Sequence, residues 1–151
     1  MTQARVRAPK ILGVATCVPA HRFDNVADTT EFTAEEVRKV VGMAGVSARR
    51  VVEGDTCSSD LCFGAAQKLL DDLEIDRSTI DVLIMATQTP DYVMPSSSCL
   101  LQQRLGLPTT CAAFDLNLGC SAYVYGLWLA SSLLASSTYR RILVLNGETP
   151  T

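Results

Sequence analysis

The residues best suited to covalent chemistry are Asn117-Leu118-Gly119-Cys120-Ser121, which lie between two apolar stretches. The run Thr110 to Leu116 predicts a strand, and Ser121 to Ser136 predicts a helix. A cysteine delivered at the start of that helix faces unpaired N–H groups and the positive end of the helix dipole. Such surroundings favour an anion, and thiolate is the nucleophilic form of cysteine. Gly119 lets the backbone turn the corner without a Cβ clash. The same N–H groups suit an oxyanion forming beside the sulfur. Cys120 is therefore the candidate nucleophile.

Other reactive side chains carry less. The chain has six cysteines, none in a C-x-x-C pair, and too few for a disulfide scaffold. Cys17, Cys62, Cys99 and Cys111 fall on apolar faces and read as small buried hydrophobes. Cys57 sits in a polar loop without an evident role. The number of free thiols points to a reducing, cytoplasmic setting. With a single histidine, His21, no metal site is expected, and His21 itself reads as a surface loop residue.

The elements that must position Cys120 follow from hydrophobic patterning. Ile11 to Val18, Asp81 to Thr87, Thr110 to Leu116 and Arg141 to Asn146 are short apolar runs, predicting strands covered on both faces. Helical patterns lie between them. Thr33 with Glu36 makes a capping box for a helix to about Met43, with Gly45 just past its end. Ser59 or Asp60 caps a helix ending near Leu73. Ser96 opens a third, closed by Gly106 and Pro108, and the Cys120 helix is the last, read as buried. Such alternation predicts an α/β fold with βαβ units and a mainly parallel sheet flanked by helices.

Bulk properties bound the rest. One domain spanning residues 1–151 is expected, with 48% apolar and 19% charged residues, as in globular chains. A net charge of −3 gives no reason to expect nucleic acid as a partner. The pairs Arg49-Arg50 and Arg140-Arg141 read as solvated ends of elements. Arg5, Arg7 and Lys10 ahead of Ile11 to Val18 imitate a signal peptide, but Pro19 leads into His21-Arg22 where small residues would be needed. That run is therefore read as the first buried strand. Ala122 to Ala135 is too short for a membrane span, so no membrane is expected as a partner. Repeats and linkers are absent, and Gly147-Glu148-Thr149-Pro150-Thr151 stops directly after a core strand.

Around Cys120 the stretch Asp115-Leu116-Asn117-Leu118-Gly119-Cys120-Ser121-Ala122-Tyr123 resembles the nucleophile segment of the β-ketoacyl-ACP synthase III family, among the thiolase-like condensing enzymes. Ala44-Gly45-Val46-Ser47-Ala48-Arg49-Arg50-Val51 resembles the family's Thr-Gly-Ile-x-x-Arg-Arg segment. Thr56 to Leu61, Ala65 to Leu70, and Ala86 to Asp91 with Met94-Pro95-Ser96 resemble family segments in the same order. The resemblance implies a thiolase-like half, truncated before its second repeat: the N-terminal half of a subunit.

In that family the cysteine takes an acyl group from acyl-CoA or acyl-ACP, here as substrates with no cofactor. Malonyl-ACP then loses CO₂ and its carbanion attacks the acyl group, a decarboxylative Claisen condensation. Resemblance thus implies an acyltransferase of fatty-acid or polyketide assembly, with acyl carrier protein as a partner and a homodimer as its assembly. The family's enolate-stabilising His and Asn come from the second half, so this stretch alone is expected to be inactive in condensation.

Resemblance also implies two substrate-binding positions. Lys39 and Met43 stand where known members carry a Trp and an Arg that grip the CoA adenine, and Lys39 offers only a point charge to a phosphate. This departure shifts the expected donor from acetyl-CoA towards acyl-ACP or a specialised acyl group. Met94 matches a position that reaches into the partner subunit's acyl pocket. Ala122 replaces a common Gly. Two alternatives stand beside this reading: a non-catalytic binding or dimerisation half-module, and a chalcone-synthase-like or HMG-CoA-synthase-like acyltransferase.

Overall fold

The computed structural model describes residues 9–136 and 138–149. Arg5, Arg7, Pro150 and Thr151, which entered the sequence reading, lie outside them. The chain groups into two compact units: Val18–Thr56, and the residues before Val18 together with those from Cys57 onward.

In the smaller unit, β1 (Arg22–Asp24) pairs antiparallel with β2 (Ala48–Arg50), and α1 (Ala34–Ala44) lies between them in sequence. The two short strands escape periodicity because three residues carry no readable alternation. The Asp24 carboxylate turns the chain after β1 by accepting the Val26 and Ala27 N–H groups at 3.0 and 3.1 Å. The capping box on α1 is present: Glu36 takes the Thr33 N–H at 3.0 Å, and Thr33 Oγ1 takes the Glu36 N–H at 3.3 Å. Gly45 ends the helix at φ 72°, a left-handed conformation open to glycine without strain. Arg49 lies over the Phe23 ring, 4.2 Å from its centre, and Arg50 donates to the Ala20 carbonyl at 2.5 Å. Both arginines are exposed at the end of β2, as expected of a solvated end, while their side chains also contact the unit.

The larger unit carries a parallel sheet in the order β4 (Ala112–Leu116), β3 (Val82–Ala86), β5 (Ile142–Asn146). Side chains alternate across it with period two. Leu83, Met85, Leu143 and Leu145 face a core with Cys62, Ala66 and Leu70 of α2 (Ser58–Asp72) and Leu101 of α3 (Ser97–Arg104). Val82, Ile84, Ile142, Val144 and Phe114 face α4 (Ala122–Ala135) through Ala130, Leu129 and Leu133. Three layers result, with the sheet in the middle, as the expected α/β architecture requires. The central strand β3 is buried at every position, whereas β4 is half-buried throughout.

Three expectations are overturned. Ile11 to Val18 forms no strand and is largely exposed, Val14 to 81%. An apolar run becomes a strand only when a ladder receives its N–H and C=O groups. This one instead runs along α2, where a Cβ on Gly13 would come within 2.7 Å of Leu73 Cδ1. Second, α4 is not buried all round: Ala122, Gly126 and Ala130 face inward, while Tyr123, Val124, Tyr125 and Trp128 are exposed. The small side lets the helix lie close on the sheet, where a Cβ at Gly126 would stand 3.3 Å from Val144 Cγ1. Third, Cys62 and Cys111 are buried as expected, but Cys17 and Cys99 are exposed.

Helix starts differ in detail from the local reading. Cys57, rather than Ser59 or Asp60, is the N-cap residue of α2, and the Asp60 carboxylate reaches back to its N–H at 3.0 Å. Ser96 precedes α3 without a side-chain cap. Among the described residues no helix is long and apolar enough to cross a membrane.

Candidate functional site

Because β3, β4 and β5 are parallel and in register, Ala86, Leu116 and Asn146 stand side by side at the carboxyl edge of the sheet. Open α/β sheets bind ligands outside this edge. The three segments that leave it carry Gln88, Cys120 and Glu148.

The sulfur is placed by the β4–α4 connection. Leu118 N–H turns back to the Leu116 carbonyl at 2.9 Å, and Ala122 N–H to the Gly119 carbonyl at 2.8 Å. Cys120 lies in that last turn, exposed, immediately before α4. Ser121 provides no side-chain cap, so no hydroxyl competes for the first N–H groups of the helix. Gly119 has no positive φ; its small size serves a close approach. A Cβ there would come within 2.8 Å of Gln88 Oε1, so the Gln88 amide packs on the turn that holds Cys120.

The loop after β3 is pinned from several sides. Glu148 Oε1 accepts the Gln88 N–H at 2.8 Å, and its Oε2 accepts the Thr89 hydroxyl at 3.0 Å. Thr149 N–H returns to Thr89 Oγ1 at 3.1 Å, and Ser58 Oγ donates to the Thr89 carbonyl at 2.7 Å. Further along, Ser59 Oγ reaches Asp91 Oδ2 at 2.5 Å, and Asp91 N–H donates to Ser97 Oγ at 3.1 Å. The Asp115 carboxylate on β4 accepts the N–H groups of Ser97 and Ser98, both at 2.8 Å. Buried Ser58 and Ser59 of α2 and Ser97 of α3 are thus the polar lining that fixes the loop carrying Met94.

The neighbouring thiols differ in character. Burial pushes the Cys62 thiol up to about 12, with Asp91 adding to the rise. Burial also raises Cys111. Both are thus poor nucleophiles. Among the described residues no group of three His, Cys, Asp or Glu side chains is arranged to hold a metal.

Met94 lies in the loop between β3 and α3 with its side chain out, 85% exposed, beside exposed Tyr92 and Val93. Lys39 belongs to the smaller unit, exposed on α1, and Met43 is exposed on the same helix. The α1 groove, about 910 Å³ and walled by Phe23, Phe32, Val37, Val40, Val41 and Val46, does not include Lys39 in its lining. His21 is exposed at the entry to β1 and pairs with Glu53. Gln88, Asp115 and Glu148 were missed by sequence reasoning. Their trace in the sequence is a polar residue within an apolar strand run (Asp115), directly after one (Gln88) or one residue further on (Glu148).

Residues 114–151 match the family of 3-oxoacyl-[acyl-carrier-protein (ACP)] synthase III. Over 97% of its length the chain is 37% identical to a putative 3-oxoacyl-[acyl-carrier-protein] synthase 3 of Campylobacter jejuni, covering 42% of that protein. Its fold superposes on the crystal structure of a 3-oxoacyl-(acyl-carrier protein) synthase from Burkholderia xenovorans with a TM-score of 0.87 and 41% identity, over 92% of this chain and 40% of that one. A β-ketoacyl-[acyl carrier protein] synthase III from Thermus thermophilus gives a TM-score of 0.82 and 30% identity, over 93% and 43%. The chain therefore spans about two fifths of the length of the relatives it matches.

Proposed function

Since this chain is a relative of the 3-oxoacyl-ACP synthase III family and matches the N-terminal part of its members, we propose that it carries the nucleophile of such a condensing enzyme. The Cys120 thiolate attacks the carbonyl carbon of an acyl thioester, and the donor's thiol leaves. In the full-length protein malonyl-ACP then loses CO₂, its enolate attacks the acyl carbon, and the Cys120 sulfur departs. The observation that carries this reading is the exposed Cys120, presented at the sheet's carboxyl edge in the turn before α4.

Several features support the accompanying roles. The donor is an acyl-CoA or acyl-ACP, with acyl carrier protein as partner. Met94, projecting from its loop, suits contact with an acyl chain across a homodimer. The edge of β4 opposite β3 has no strand beside it among the described residues, as an interface between two copies would require. The exposed Tyr123, Val124, Tyr125 and Trp128 call for cover by further protein. Six free thiols suit the cytoplasm.

By itself the 151-residue stretch should accept an acyl group but not condense it, because the family's enolate-stabilising His and Asn are expected from the second half of the subunit and the one histidine here, His21, pairs with Glu53. The test is mass spectrometry of the protein after incubation with acyl-CoA and acyl-ACP donors. A single acyl adduct on Cys120, absent in Cys120→Ala, is the expected result. Adducts spread over other cysteines, or none, would reject the proposal.

A further inference from the structure

The proposed acyl transfer leaves Gln88 without a task, yet this residue is closely held. Its backbone N–H is taken by Glu148, and the following Thr89 is held by the other Glu148 oxygen and by Ser58. Its side chain is exposed, with Oε1 laid against Gly119 so closely that a Cβ there would come within 2.8 Å. Gly119 is bonded directly to Cys120. A primary amide offers two N–H donors and a carbonyl acceptor, and here it stands at the rim of the nucleophile's turn on a fixed backbone.

We propose that Gln88 is a specificity-determining residue of the Cys120 site, selecting acyl thioesters that carry a hydroxyl or keto oxygen near the thioester carbonyl. Glu148 is its positioning residue. The proposal rests on the reading that Cys120 takes an acyl group. An amide facing the acyl chain rewards a donor whose oxygen pairs with it, and it loses a water-exchanged hydrogen bond when a plain alkyl chain slides past. Sites that hydrogen-bond a substrate oxygen discriminate against the analogue lacking it; for an amide exposed to solvent about tenfold is expected.

Rates of Cys120 acylation in the full chain, measured with 3-hydroxyacyl and plain acyl thioesters of equal length, give a ratio that corrects itself for folding and for nucleophile strength. The ratio should fall about tenfold in Gln88→Leu. Glu148→Gln, which leaves one acceptor for two donors, should lower it in the same direction with Tm compared alongside. Gly119→Ala provides a second route: the flexible Gln88 side chain must swing off the turn, so the ratio falls although Gln88 is intact. Equal ratios in all four proteins would overturn the proposal while leaving acyl transfer standing. Absence of any Cys120 adduct in the unaltered chain would instead overturn acyl transfer itself, and this inference with it.

Discussion

Asp115 on β4 and Ser97 at the start of α3 are joined by a 2.8 Å bond from the Ser97 N–H to the Asp115 carboxylate, whose other oxygen takes the Ser98 N–H at the same distance. The helix is capped from a strand, not from its own Ser96. The charge also sits at the positive end of the α3 dipole. Asp115→Asn leaves one acceptor for two N–H groups and removes the charge. A loss of about 1–2 kcal/mol is expected, read as a lower urea midpoint at unchanged slope. An unshifted midpoint would mean that water replaces the cap without cost.

Thiol labelling should separate the cysteines by environment. Cys62, raised to about 12 by burial, and Cys111, also raised by burial, should react with iodoacetamide last at pH about 8. Exposed Cys120, in the field of the first turn of α4, should react before exposed Cys17 and Cys99. Peptide mapping after limited alkylation reads the order. Cys17 or Cys99 reacting ahead of Cys120 would remove the case for a helix-assisted nucleophile.

Acid stability should carry a contribution from Asp60. Its hydrogen bond from the Cys57 N–H, and then its contact with Arg104 at 2.8 Å, hold the carboxyl below its usual range. A depressed folded-state value means stability that is present above the unfolded value near 3.9 and is lost as pH falls through the folded value. The pair is more than one third exposed, so the effect should stay below about 1 kcal/mol. Asp60→Asn should weaken the protein at pH about 7 and flatten the decline between about 4 and 2. Urea midpoints across that range measure it; parallel curves for the two proteins would refute the assignment.

Lys39 and Met43 make a test of donor choice. Both are exposed on α1, where a stacking Trp and a phosphate-binding Arg would be free to act. If the family's CoA grip lies there, Lys39→Trp with Met43→Arg should tighten acetyl-CoA binding in the full-length protein by about 1–3 kcal/mol, the worth of one base–aromatic stack. Calorimetry on the two proteins decides it. Equal affinities would place the CoA adenine elsewhere.

Features governed by neighbours in sequence could be read without a structure. The Thr33–Glu36 box, the Gly45 stop and the turn that presents Cys120 depend on contacts within a few residues, and the runs that became β3, β4 and β5 are legible from local apolar composition. Tertiary structure decided the rest. Ile11 to Val18 has the composition of a strand, but whether a ladder receives it depends on distant backbone. The apolar residues of α4 look alike in sequence, and only its seat on the sheet separates Gly126 from exposed Trp128. Glu148 meets Gln88 across sixty residues, and Asp115 meets Ser97 across eighteen. No periodicity records such pairs, because each forms only when parallel strands bring their carboxyl ends to one edge.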